Sequence, residues 1–382
     1  MSAADATDGG YVMPARGLSL APELLRAQLT DWLRERFAAP DLTITGLSSP
    51  GAAGVNNETL LLDLVTQAPE LHGAGGLVVR LEAPTTLFPG VDIHSSYACY
   101  RALQSYDLVP TPVVYGLESD CAVLGRPFYV MERIAGQIPS DNPVYHQAGW
   151  LKEMAPADRT RLWDNAIRTM ARLHQVPLGG FDFLRDLGLG SPRQLMAYWR
   201  RHLDESLPDG PPDPVLEQAW AWLEANFPAD APIGFAWGDA RVPNMIFRGV
   251  DCVGVLDWDM VSLAGGECDL AWWLVNDLSS GTPGGRLKGL HDGHATLRVW
   301  EEETGRAPRD LEFWLVFNLF RLAAVLVRLK GFLGALGTLP DTMRHIDRVN
   351  SPRSVLASRF CATGLPGLGS WTDLAGLLDR QA

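Results

Sequence analysis

The sequence predicts an α+β protein of two lobes, an antiparallel sheet followed by a mostly helical region. Strand-like runs rich in β-branched residues crowd into residues 42–132 and then nearly vanish. From Arg159 onward the apolar residues recur at helical spacing instead. A length of 382 residues is enough for two separate cores.

Residues 1–20 are small and polar, lack a signal-type apolar stretch, and read as a mobile N-terminus. Pro22 to Phe37 is predicted as an amphipathic helix, with Leu24, Leu25, Leu29, Leu33 and Phe37 at helical spacing. Leu42 to Leu47 and Thr59 to Val65 read as a hairpin around the small-residue loop Ser48 to Asn57. Gly76 to Leu81 is a third strand, Ile93 to Tyr106 a helix, and Pro112 to Gly116 and Phe128 to Glu132 two further strands. The join is expected near Ile134-Ala-Gly136, giving lobes of residues 21–135 and 136–382. Helices are expected at Arg159 to His174, Pro192 to Glu205, Val215 to Asn226, Cys268 to Asn276, His291 to Thr304 and Leu311 to Leu336.

Composition narrows the function. A net charge of −13 argues against a general nucleic-acid binder, which needs a basic face, and is compatible with a cationic small substrate. Five scattered cysteines without a CxxC suit a reduced, cytoplasmic protein. The apolar run Phe313 to Leu329 carries Asn318, Arg321 and Arg328, so it reads as a buried helix and no membrane segment is expected.

Chemistry concentrates in Trp237-Gly-Asp-Ala-Arg-Val-Pro-Asn-Met-Ile-Phe247 and Val255-Leu-Asp-Trp-Asp259. Asp239, Asn244 and Asp257 follow the order in which protein kinases place a catalytic Asp, a metal-binding Asn and a metal-binding Asp. The order has a chemical reason. An Asp can orient and deprotonate an attacking hydroxyl, while an amide oxygen and a carboxylate are hard ligands for Mg²⁺ on nucleotide phosphates. Ile233 to Trp237 and Val253 to Asp257 read as strands that deliver the two aspartates, and Asp259 would share a face with Asp257 if the second strand continues.

With Pro127-Phe-Tyr-Val-Met-Glu-Arg-Ile-Ala-Gly136, Ala171-Arg-Leu-His174, Leu256-Asp-Trp258 and Glu267-Cys-Asp-Leu-Ala271 in order and spacing, the chain resembles the aminoglycoside phosphotransferase-like (choline kinase-like) branch of the protein-kinase fold. The resemblance runs from about Leu42 to about Val275. It implies an ATP- or GTP-dependent kinase for a small-molecule hydroxyl, a cationic one among the candidates, working as a monomer or homodimer with the nucleotide between the lobes.

Residue by residue, the resemblance implies that Asp239 is the catalytic base and that Asn244 and Asp257 hold Mg²⁺. Asp259 would join the metal, contact the acceptor or be a solvated carboxylate, and Asp269 would brace the catalytic loop. Arg80 would hold the α and β phosphates from the position where a kinase normally has Lys. Met131, Glu132 and Ile134 would form the back of the base pocket and the hinge. Gly51 and Gly54 would let backbone N–H groups approach phosphates, and Arg241 would balance charge on the transferring group. Trp258, Trp272 and Trp273 read as core rather than acceptor pocket.

There are departures too. Trp237 stands where the family most often has His, at a position that mainly braces the loop. No acid lies near Ser96, where a helix Glu should pair with the strand cation; Glu82, Asp92 or another acid would have to substitute. That gap supports an alternative, a weak or inactive pseudokinase serving as a nucleotide-binding regulatory module. The acceptor pocket is expected among helices such as Pro192 to Leu207 and Leu311 to Leu336.

Overall fold

In the computed structural model, which describes residues 21–50, 57–71, 75–88, 90–207, 212–280 and 285–378, five strands pair antiparallel in the N-terminal part. They are β1 (Thr43–Ser48), β2 (Asn57–Val65), β3 (Leu77–Glu82), β4 (Val114–Glu118) and β5 (Phe128–Glu132), in the order β1-β2-β3-β5-β4. Residues 1–20 and the loop carrying Gly51 and Gly54 lie outside the described residues.

Side-chain alternation gives the sheet two different faces. Leu60 and Leu62, Leu77, Val79 and Leu81, and Phe128 and Val130 point to one side. There they meet Leu25, Leu29 and Leu33 of helix α1 (Pro22–Arg36) in a core of their own. Val78, Tyr129 and Met131 point the other way and belong to a second core that continues into the helical part of the chain. Arg80 sits on β3 at the same parity as Val78, opposite Thr59 on β2 and Tyr129 on β5. Its guanidinium is therefore presented to the inner face, away from the α1 side. Helix α2 (Ile93–Gln104) packs on this inner face through Ile93, Cys99, Tyr100 and Leu103. The Asp92 carboxylate caps it, accepting from the Ser95 N–H at 2.8 Å.

After the single turn α3 (Cys121–Leu124) and β5, the chain is mostly helix. Helices α4 (Trp150–Glu153), α5 (Pro156–Leu173), α6 (Phe183–Asp186), α7 (Pro192–Ser206) and α8 (Pro214–Ala225) precede a hairpin of β6 (Met245–Arg248) and β7 (Asp251–Val255). Then follow α9 (Gly266–Ser279), α10 (Gly293–Thr304), α11 (Leu311–Ala335), α12 (Ser351–Phe360) and α13 (Thr372–Ala375). The architecture is the α+β arrangement expected, and the expected strands and long helices fall within a few residues of their predicted bounds.

Three differences bear on the site. Ile233 to Trp237 forms only isolated bridges, Gly234 with Ala264 and Ala236 with Ser262, because no continuous neighbouring strand runs beside it. The strand β7 stops at Val255, so Asp257 lies beyond it, in a left-handed conformation with φ of 64°. Strand parity therefore does not place Asp257 and Asp259 together. Helix α12 was not anticipated, since its buried Val355, Leu356 and Ala357 are consecutive and leave no periodic stripe. Among the described residues no helix is long and apolar enough to cross a membrane, and all five cysteines are free.

Candidate active site

The catalytic-type loop hangs from one buried carboxylate. Asp269, in the first turn of α9, is 0% exposed. Its Oδ2 accepts from the Trp237 backbone N–H at 2.6 Å and its Oδ1 from the Gly238 N–H at 2.8 Å. A third donor is His174 Nε2, 3.0 Å from Oδ2. The Trp300 indole N–H donates to His174 Nδ1 at 2.9 Å, so the imidazole proton sits on Nε2 and points at Asp269. Gly266 makes room for this ring, because a Cβ there would lie 2.5 Å from His174 Cγ.

Gly238 adopts φ of 94° and passes so close to Met260 that a Cβ would meet its carbonyl oxygen at 1.8 Å. Only glycine fits. Its own carbonyl oxygen accepts from Arg321 Nη2 at 2.8 Å, from inside α11. Trp237 is fully buried and its indole N–H is shared between the carbonyls of Leu256 at 2.9 Å and Asp257 at 3.0 Å. The residue that replaces the family's usual His thus still braces the loop, tying it to the segment that carries Asp257.

Held this way, Asp239 is 9% exposed and fully engaged. Oδ2 accepts from Arg241 Nε at 2.9 Å and Asn244 Nδ2 at 2.7 Å, and Oδ1 accepts from the Trp272 indole at 3.0 Å. Asn244 Nδ2 also donates to the Asp239 carbonyl at 3.0 Å, which commits the amide nitrogen and leaves the amide oxygen outside those bonds. Arg241 continues the chain to Asp141, with Nη1 2.5 Å from Oδ1. Removal from water works to raise the Asp239 pKa, but Arg241, Asn244 and Trp272 overcome it and hold the carboxyl below the usual carboxylate range.

Asp257 behaves in the opposite way. Removal from water, then the nearby carboxylates of Asp259 and Asp239, push its pKa up to about 7 against the partial relief of Arg80 and Arg241. The Asp259 backbone N–H lies 3.3 Å from Asp257 Oδ1. A site of hard oxygen donors with surplus negative charge suits a divalent cation such as Mg²⁺. Among the described residues there is no group of three or more His, Cys, Asp or Glu that could hold a metal, so a cation here would need ligands from phosphates or water.

The remaining predicted residues lie on β3, at the end of β5 and just beyond it. Arg80 Nη1 donates to Thr59 Oγ1 at 2.7 Å. Met131 pairs with Val78, and the Glu132 N–H bonds the Val113 carbonyl at 2.8 Å. Ile134 follows, its side chain against Gly254 on β7. Beside the loop, a small open cavity of about 20 Å³ is lined by Arg241, Asp141, Tyr145, Trp163, Trp273 and Asp277, among others. It belongs to α5, α9, the segment of residues 141–145 and the catalytic-type loop.

Sequence reasoning missed two positions. Trp272 lies in the core as expected, but its N–H also holds Asp239. Arg321 was used only to reject a membrane span, although a buried cation in an apolar helix already signals a polar partner inside the core. Trp258, by contrast, packs against Tyr100, Phe235 and Trp237 as expected of core.

Comparison with known proteins gives a consistent picture. The family model described as "Phosphotransferase enzyme family" matches residues 56–308. An aminoglycoside phosphotransferase-like protein from Ralstonia eutropha JMP134 superposes with a TM-score of 0.65 at 23% identity, covering 88% of this chain and 98% of that one. Macrolide 2'-phosphotransferase MphH from Brachybacterium faecium gives a TM-score of 0.53 at 17% identity, with coverage of 86% and 98%. Curated relatives include "Probable acyl-CoA dehydrogenase IBR3" of Arabidopsis thaliana, 26% identical over 300 residues, which are 71% of this chain and 34% of that protein. Acyl-CoA dehydrogenase family member 11 of Homo sapiens is 28% identical over 227 residues, 57% of this chain and 26% of that protein. The chain therefore spans about a third or less of the length of these relatives.

Two outcomes follow from this geometry. Asp269→Ala should cost about 3–5 kcal/mol in urea unfolding, since it strands three buried donors; a loss under about 1 kcal/mol would show that the loop does not hang from it. Asp257→Asn should raise Tm in metal-free buffer. A carboxyl whose folded pKa of about 7 exceeds its ordinary 3.8 keeps a proton that the unfolded chain has lost, so it lowers stability as pH rises from about 4 to about 7. The variant should gain about 2–4 °C over wild type at pH 8 and almost nothing at pH 4, by differential scanning calorimetry.

Proposed function

The chain belongs to the phosphotransferase enzyme family, and from that membership we propose that it moves the γ-phosphoryl group of ATP or GTP to a hydroxyl of a small molecule. The observation that carries this reading is the hydrogen-bonded unit of Asp239, Arg241 and Asn244 beside an open cavity, with Asp257 crowded by its charge. Solved relatives with the same fold include a streptomycin–ATP–APH(2")-IIa complex and a GDP and kanamycin complex of APH(2")-IIIa, which supports a nucleotide co-substrate.

Residues 21–135 would carry the nucleotide and residues 136–382 the catalytic loop and acceptor. The base would lie against Met131 with its edge on the backbone of Glu132 to Ile134, and Arg80 would hold the α and β phosphates. Asn244 and Asp257 would hold Mg²⁺, which supplies neutralising charge on the phosphates. Asp239 is already stabilised as a carboxylate by three donors, so it is a weak base suited to orienting the acceptor hydroxyl and taking its proton late. Arg241 stands where negative charge builds on the transferring group.

The cavity beside Arg241 is the acceptor pocket in this reading. The aromatic faces of Tyr145, Trp163 and Trp273 suit a hydroxylated compound with a cationic group, the carboxylates of Asp141 and Asp277 being already paired with Arg241 and Arg286. The names of the curated relatives add hydroxylated acyl compounds to the classes worth testing. The scattered free thiols fit a cytoplasmic location. A second reading, a nucleotide-binding pseudokinase, is favoured by one observation, the neutral Ser96 on α2 where a carboxylate is expected.

The test is ADP formation from MgATP with a pool of amino sugars, amino alcohols and hydroxyacyl compounds. Asp239→Asn should lower turnover about 10³-fold while ATP still raises Tm. Binding without turnover in the wild type would favour the pseudokinase. A wild type that binds no nucleotide would sink both readings.

A further inference from the structure

We infer that Asp141 is a positioning residue that holds Arg241 while the site is empty, and that the γ-phosphoryl group of the nucleotide displaces it. The inference rests on the reading above of Arg241 as the cation that meets the transferring group.

Asp141 reaches the site from the connection that leaves β5. That connection is fastened to the β6–β7 hairpin before it arrives. Gln137 and Phe247 of β6 exchange both backbone hydrogen bonds, each at 2.8 Å. Gly136 allows the approach, since a Cβ there would lie 2.7 Å from the Phe247 carbonyl oxygen. The Trp150 indole N–H donates to the Ile138 carbonyl at 2.9 Å and holds the residue after Gln137. Further along the same segment, the Asp141 carboxylate accepts from Arg241 Nη1 at 2.5 Å.

One guanidinium is therefore shared by two carboxylates, with Nε on Asp239 at 2.9 Å and Nη1 on Asp141. Its single positive charge is already offset before a phosphoryl group arrives. The two partners differ in how readily they let go. The Asp239 side chain is 13% exposed, and without Arg241 it would be left among neutral donors inside the protein. That of Asp141 is 54% exposed and rehydrates when released. A pair of the second kind holds a long side chain in place and exchanges at small cost. The γ-phosphoryl group supplies the competing charge, since guanidinium groups bind phosphate as well as carboxylate. Arg241 then keeps its bond to Asp239 and turns only its Nη1 edge toward the nucleotide.

ADP lacks the γ-phosphoryl group, so the exchange distinguishes one nucleotide from the other. Isothermal titration calorimetry with MgADP and the non-hydrolysable ATP analogue AMP-PNP, also with Mg²⁺, measures the distinction. Asp141→Ala should tighten AMP-PNP about three- to fivefold relative to ADP, because nothing then has to be displaced. Asp141→Glu keeps the charge and should leave the ratio within about twofold of wild type. In an Arg241→Gln background, where Asp239 retains a neutral donor, Asp141→Ala should leave the ratio unchanged.

A gain that persists without Arg241 would be the general effect of removing a negative charge, and would overturn the inference. Weaker AMP-PNP binding by Asp141→Ala would overturn it too, by showing that Asp141 holds Arg241 ready for the phosphoryl group. Asp141 is exposed, so the single variant is expected to fold, and its melting curve checks this. A wild type that binds neither nucleotide would sink the proposed function and this inference together. Binding of both, at a ratio that Asp141→Ala does not move, would sink the inference alone.

Discussion

The geometry of the candidate active site depends on a buried carboxylate that never meets solvent. Burying the Asp269 carboxylate is costly on its own, and becomes acceptable only because two backbone N–H groups and an imidazole N–H saturate it. The cost of leaving any of these unpaired makes the loop's path unique. From Trp237 and Gly238 the geometry propagates to Asp239, one residue on. Arg321 secures the same turn from α11 through the Gly238 carbonyl, while its guanidinium lies 4.1 Å from the Trp272 ring centroid. Trp272 in turn holds Asp239. Two helices that are remote in sequence thus converge on one peptide unit.

The same principle runs in reverse around Asp257. Asp269 accepts from three buried donors, whereas Asp257 has more carboxylate neighbours than its cations relieve. Two aspartates of one fold are thereby driven apart in character by their surroundings alone. One kind of crowding gives a rigid brace and the other gives a site that gains from an added cation. Local destabilisation of this sort is the expected signature of a functional position, since no packing argument would retain it.

Much of this was legible in sequence because it is local. The order Asp239, Asn244, Asp257 sits within nineteen consecutive positions, and the parity of β3 already separates Arg80 from Leu77, Val79 and Leu81. Helices α7 and α11 announced themselves through apolar spacing. What stayed hidden was long-range or hydrogen-bonded. An indole that donates to a carboxylate looks the same in sequence as one that only packs, so Trp272 passed for core. Asp257 was placed at a strand end by its apolar run, but its φ of 64° reflects the turn after β7, which no periodicity encodes.

The departures from the family pattern share a physical logic. A loop brace requires a donor directed at a particular carbonyl, and it does not require an imidazole; the Trp237 indole meets that need from a larger, fully buried ring. A phosphate-holding cation requires an acid that fixes it, and it does not require that the acid come from a helix. Here α2 offers the Ser96 hydroxyl, which donates to Asp259 Oδ1 across the space where a glutamate was expected.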